Sequence, residues 1–87
     1  MNTYRLTVAS PDGNLFADEA AMLSLRGSEG DLAVLAGHEP FITGVQPGEC
    51  VIVLPDGSER YGHTDGGLLT VAKDGVTLLS GSFRWQE

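Results

Sequence analysis

Four Asp-Gly dipeptides, at Asp12-Gly13, Asp56-Gly57, Asp65-Gly66 and Asp74-Gly75, constrain the fold of this chain more than any other feature. Asp-Gly tolerates the positive φ of tight turns, so each is a hairpin signal. Pro55-Asp56-Gly57-Ser58, set between Val51–Leu54 and Glu59–Tyr61, is the clearest case, and Lys73-Asp74-Gly75 is next. Pro47-Gly48 marks another turn.

Between these turns the hydrophobic period is two. Tyr4, Leu6 and Val8 alternate with Thr3, Arg5 and Thr7, which predicts a half-buried strand. A second strand is predicted over Ala20 to Arg26, because Arg26-Gly27 stops the rival helical reading of Asp18 to Leu25 after eight residues. The continuous apolar run Leu32 to Leu35 suits a strand buried on both faces. Further strands read as Phe41–Val45, Glu49–Leu54, Glu59–Thr64, Leu68–Ala72 and Val76–Ser80. Many short strands with frequent turns predict an all-β antiparallel sandwich or barrel. Eighty-seven residues allow one domain at most.

Charge narrows the partners. A net charge of −7 argues against nucleic acid and anionic lipid, and favours basic protein surfaces. The opening residues lack the basic start and apolar core of a signal peptide, and no apolar run approaches the ~20 residues needed to cross a bilayer. Any membrane association is therefore expected to run through a partner. Cys50, the single cysteine, precedes the apolar run Val51-Ile52-Val53-Leu54 and reads as a packed thiol.

The stretch Gly27-Ser28-Glu29-Gly30-Asp31-Leu32-Ala33-Val34-Leu35-Ala36-Gly37-His38-Glu39-Pro40-Phe41 gathers carboxylates and a histidine, and invites a catalytic reading. The chemistry does not follow. His38-Glu39 lacks the HExxH spacing, His63-x-Asp65 is a lone ligand pair, and no CxxC occurs. Glu29 and Asp31 fall in a Gly-rich turn open to water, where carboxylates lack the environment needed for acid catalysis. Neither Gly-Ser-Glu-Gly nor Ser80-Gly81-Ser82 is a GxSxG elbow, and the Gly-rich segments lead into strands rather than phosphate-binding helices. No enzyme activity and no cofactor or metal are expected. The residues point to a small acidic β-sandwich that binds other proteins through exposed loops.

Several segments resemble one family. Tyr4-x-Leu6-x-Val8-x-Ser10 resembles its opening strand, and Gly27-Ser28-Glu29-Gly30-Asp31-Leu32 its G-S-E-G-[ED]-L turn. Gly37-His38-x-Pro40-Phe41-Ile42-Thr43 resembles its P-G-H-x-P-[LF]-[LI]-T segment, and Gln46-Pro47-Gly48 its [KQ]-P-G turn. Gly66-Gly67-x-Leu69-x-Val71 and Val76-Thr77-Leu78-Leu79 resemble its final strand pair. In order and spacing, across residues 4 to 79, the chain resembles the epsilon subunit of bacterial rotary ATP synthase, whose mitochondrial counterpart is called delta.

The resemblance implies a flattened β-sandwich of about ten strands that does no chemistry itself. It implies a rotor subunit of the central stalk, joining the gamma subunit to the membrane-embedded c-ring and coupling proton or sodium flow to ATP synthesis. The subunit would sit peripherally on the cytoplasmic face of the bacterial plasma membrane and be monomeric when isolated. Glu29, Gly30 and Asp31 match the turn that reaches the ring, whose polar loops commonly carry Arg and Gln. Ser10, His38 and Thr43 match positions that face gamma. The sequence departs from the family at Ala36, where proline is usual. The family's C-terminal helical hairpin has no counterpart, since Phe83-Arg84-Trp85-Gln86-Glu87 is too short for one of its helices. Trp85 is left open between packing on the sandwich edge and reaching a partner. The alternative from another class is a free-standing β-sandwich that holds a small molecule or metal through His38, His63 and Asp65.

Overall fold

A computed structural model describes residues 2–86. Ten strands follow one another: β1 (Tyr4–Ser10), β2 (Gly13–Ala20), β3 (Met22–Gly27), β4 (Gly30–Leu35), β5 (Phe41–Val45), β6 (Gly48–Val53), β7 (Glu59–Thr64), β8 (Gly67–Ala72), β9 (Gly75–Ser80) and β10 (Phe83–Trp85). The all-β expectation and the strand number hold. The molecule measures 29 × 28 × 23 Å, shorter along one axis than the other two.

Pairing divides the strands into two five-stranded layers. One runs β10-β7-β6-β3-β4 and the other β5-β8-β9-β1-β2, with a single Gly27↔Val45 pair joining β3 to β5. Alternation sends one side of every strand between the layers. Leu23, Leu25, Val34, Cys50 and Ile52 from the first layer meet Leu6, Val8, Leu69, Val71, Val76 and Leu78 from the second, all buried. Thr64 and Ser80 are also buried, and they satisfy each other across the layers with a hydroxyl contact of 2.5 Å. Among the described residues, no buried side-chain polar atom lacks a partner, as a thin core requires.

Four sequence expectations are corrected. First, β1 pairs with β9 in parallel, so the sandwich is not wholly antiparallel. Between β1 and β9 the chain passes twice into the first layer, through β3–β4 and β6–β7, before β8 and β9 return to the second.

Second, β2 escaped the reading. It is an edge strand with only Phe16 and Ala20 buried, so its apolar alternation is weak. The strand predicted from Ala20 begins instead at Met22.

Third, β4 is not buried on both faces. Val34 points into the core, while Ala33 and Leu35 point outward and are exposed. Among the described residues β4 pairs only with β3, and Ala33 and Leu35 on its outer face are exposed.

Fourth, Asp65-Gly66 does not make a hairpin. It carries the chain from β7 in one layer to β8 in the other. At that corner a Cβ on Gly67 would collide with the Leu79 carbonyl, so only glycine fits. Asp12-Gly13, Asp56-Gly57 and Asp74-Gly75 do close hairpins, joining β1 to β2, β6 to β7 and β8 to β9.

Candidate functional site

The Gly27–Asp31 turn forms the tip of the β3–β4 hairpin. Gly27 pairs with Gly30, leaving Ser28 and Glu29 as a two-residue loop. Gly30 sits at φ 126°, in the left-handed region that a side chain strains to occupy. The tip is exposed yet braced. The Ser28 amide donates to the Gly44 carbonyl at 3.0 Å, its hydroxyl meets the Thr43 hydroxyl at 3.2 Å, and the Gln46 side-chain amide donates to the Ser28 carbonyl at 3.3 Å. Glu29 therefore projects from a fixed platform.

Asp31 stands directly across β3–β4 from Arg26, and their side chains approach to 3.5 Å. Both ends are well exposed, at 57% and 83%, so the pair adds little stability but offsets part of the tip's negative charge. The signal was present in the sequence. A two-residue loop pairing Gly27 with Gly30 must place Arg26 opposite Asp31.

His38 lies at the far end of β4 from this tip. Its amide closes a turn onto the Leu35 carbonyl at 3.2 Å, Gly37 takes φ 85°, and its ring meets Phe41 edge-on at 5.3 Å. The exposed imidazole lines a cleft of about 400 Å³ together with the start of β1 and the β8–β9 turn. Ser10 ends β1, where its hydroxyl accepts from the Asp12 amide at 3.2 Å, in a shallow groove with Leu79, Ser80 and Gly81.

The structure does not gather Ser10, His38 and Thr43 into one point. Thr43 joins the Glu29 tip through Ser28, whereas His38 and Ser10 lie at opposite ends of the second layer. Between those ends is the layer's outer face. Cross-strand register aligns Ile42, Thr70, Thr77 and Thr7 in one row, and Gly44, Leu68, Leu79 and Ala9 in the next. Ile42, Leu68 and Leu79 are 67%, 42% and 51% exposed. Neither row carries an ionisable residue. The sequence hides this face because it exists only once four strands are placed side by side.

The rival metal-binding triad does not assemble. Among the described residues, no cluster of three His, Cys, Asp or Glu side chains could hold a metal ion. His63 stands between Glu49 and Arg84 on the outside of the first layer. The Asp65 carboxylate is spent on structure, accepting from the Ser82 amide at 2.9 Å and so tying the β7–β8 corner to the β9–β10 turn. Cys50 is fully buried, and burial, with Glu49 beside it, pushes its thiol up to about 11. It stays protonated at neutral pH and packs as a small hydrophobe. Trp85 packs on the sandwich edge against Phe83 and Phe16 and stays half-buried.

The profile of the family described as ATP synthase, delta/epsilon chain, β-sandwich domain matches residues 3–86. The ATP synthase epsilon chain of Delftia acidovorans is 39% identical over 80 residues, covering 92% of this chain and 58% of that relative. A chain in the cryo-EM structure of Euglena gracilis mitochondrial ATP synthase superposes with a TM-score of 0.89 at 24% identity, covering 95% of this chain and 53% of its own. A chain in the structure of the Tetrahymena thermophila mitochondrial ATP synthase central stalk and c-ring gives 0.75 at 12% identity, with 94% and 66% covered. At those identities the two structures establish the fold alone. This chain thus spans little more than half the length of the Delftia relative.

Proposed function

Because this chain belongs to the ATP synthase delta/epsilon family by its β-sandwich domain, we propose that it works as a non-catalytic rotor subunit of the central stalk. In this role it joins the gamma subunit to the c-ring, and torque from ion flow through the ring passes across the joint. Its association with the membrane runs through the complex, on the cytoplasmic face of a bacterial plasma membrane.

Glu29, Gly30 and Asp31 contact the ring. The braced, exposed tip supports that role, because a rim contact between acidic side chains and basic loops sets register more than affinity. Ser10, His38 and Thr43 face gamma, with Ser10 and His38 at the two ends of the second layer and Thr43 beside the tip. The observation that carries the reading is the family match across residues 3–86 on a sandwich that leaves Ile42, Leu68 and Leu79 uncovered. An uncharged apolar face of this kind marks a protein interface.

Two measurements test it. Gamma from the same organism should elute with this chain as a stable complex in gel filtration at micromolar concentration, and separate elution would sink the assignment. Glu29→Lys with Asp31→Lys should weaken assembly on the ring and uncouple ATP hydrolysis from ion pumping. The melting temperature should move by no more than a few degrees, since both side chains are exposed. Unchanged coupling would remove the tip from the ring contact.

A further inference from the structure

The chain has only five Lys and Arg residues against twelve Asp and Glu. Two of the five are occupied within the fold: Arg26 pairs with Asp31, and Arg60 lies over the Trp85 ring at 3.7 Å. Yet Arg5 and Lys73 both line the cleft beside His38, and among the described residues Asp74 is the only carboxylate-bearing side chain in its lining. Among the described residues the single side-chain ion pair is Arg26–Asp31, so neither Arg5 nor Lys73 is paired. Glu19 stands across the strand pair from Arg5 and accepts the Thr3 hydroxyl at 2.8 Å, so it offsets part of the Arg5 charge without forming an ion pair. Two of the three remaining cations thus stand at one cleft, and the third, Arg84, lies on β10.

We propose that this cleft seats a carboxylate-bearing segment of the gamma subunit, a proposal that rests on the stalk reading above. Tyr4, Pro40, Val71 and Val76 give the cleft an apolar floor, and Arg5 and Lys73 stand exposed at its rim. The floor offers no buried charged side chain to cage a small anion, which favours a polypeptide carrying apolar and acidic residues together. The cleft also adjoins the apolar outer face through Ala72 and Gly75, so one partner surface can cover both.

The placement gives the joint a direction. The acidic tip at Glu29 and the basic cleft at His38 lie at opposite ends of β4, roughly 17 Å apart for a six-residue strand. The two ends favour partner groups of opposite charge, which disfavours docking the subunit upside down between ring and gamma. Electrostatics of this kind enforces orientation and discriminates against wrong contacts.

The test compares two variants that each lower the net charge by two: Arg5→Gln with Lys73→Gln, and Arg84→Glu on the exposed side of β10. Binding to gamma is measured across a salt series, with thermal melts as the check on folding. The cleft variant should bind about tenfold more weakly with a shallower salt dependence, while Arg84→Glu should stay within about twofold. Equal weakening by the two variants, or no weakening by the cleft variant, overturns the proposal and leaves the stalk reading standing. Failure of the unmodified chain to bind gamma overturns both. Saturable shifts at the Gly37 and Gly75 amides on adding millimolar inorganic phosphate would mark a small-anion site and overturn it as well.

Discussion

The two long sides of the sandwich are closed by unlike means. Where β10 faces β2, the seam is aromatic. Trp85 stands edge-on to Phe83 at 5.1 Å and to Phe16 at 6.3 Å, and the Arg60 guanidinium covers its ring. Gly62 carries no side chain because the Phe83 ring fills the space a Cβ would take. Where β4 faces β5, the seam is polar. Ser28, Thr43 and Gln46 hold it with exposed hydrogen bonds, and the Glu29 tip projects from it. Buried aromatic area contributes stability, whereas exposed hydroxyl contacts contribute little and leave a surface free to meet a partner. The contrast assigns stability to the aromatic side and contact to the polar one.

Removing the buried ring should have the largest effect. Phe83→Ala empties the space above Gly62 and should cost about 3–5 kcal/mol, enough to unfold much of so small a domain at 37 °C. Urea titration followed by Trp85 fluorescence measures it. A loss below about 1 kcal/mol would place the stability elsewhere and break the comparison.

Trp85 is half-buried, so Trp85→Leu should cost less, about 1–2 kcal/mol. Arg60→Ala should cost about 0.5–1 kcal/mol through its cation–π contact. A double-mutant cycle between the two checks that they share one interaction, and strict additivity would show that they do not.

On the polar side, Thr43→Val should change the melting temperature by only a few degrees, since the hydroxyl contact to Ser28 is exposed. The same substitution should loosen the tip, seen as faster amide exchange at Ser28. Unaltered exchange there would mean that β5 does not brace the turn, and a large drop in melting temperature would erase the difference between the seams.

Much of the core was legible in the sequence. Leu6, Val8, Leu23 and Leu25 occupy the inward positions that alternation assigns them, Leu69, Val71, Val76 and Leu78 fall on strands read from the sequence, and Cys50 packs as its apolar neighbours imply. Hairpins at Asp56-Gly57 and Asp74-Gly75 follow from turn chemistry, which acts over four residues and needs no distant partner. β10 was missed because three residues are too few to show a period. β2 was missed because an edge strand buries too little. At the candidate site, the exposed Glu29 turn was readable from its glycines, while Thr43 was grouped with His38 and Ser10 although its hydroxyl meets Ser28.

By itself, then, the sequence determined the strand class, most strand positions, the inward residues of two strands and the exposed acidic turn. Those properties depend on neighbours a few residues away, through φ preference and the two-residue period of the strand. Only the tertiary structure decided that β1 runs parallel to β9 and that Asp65-Gly66 crosses between layers. It alone lined up Ile42, Leu68 and Leu79 on one open face and brought Arg5, His38 and Lys73 to one cleft. Those arrangements depend on which strands pair and in what register. Burial across the whole chain sets that choice, and no local stretch of residues encodes it.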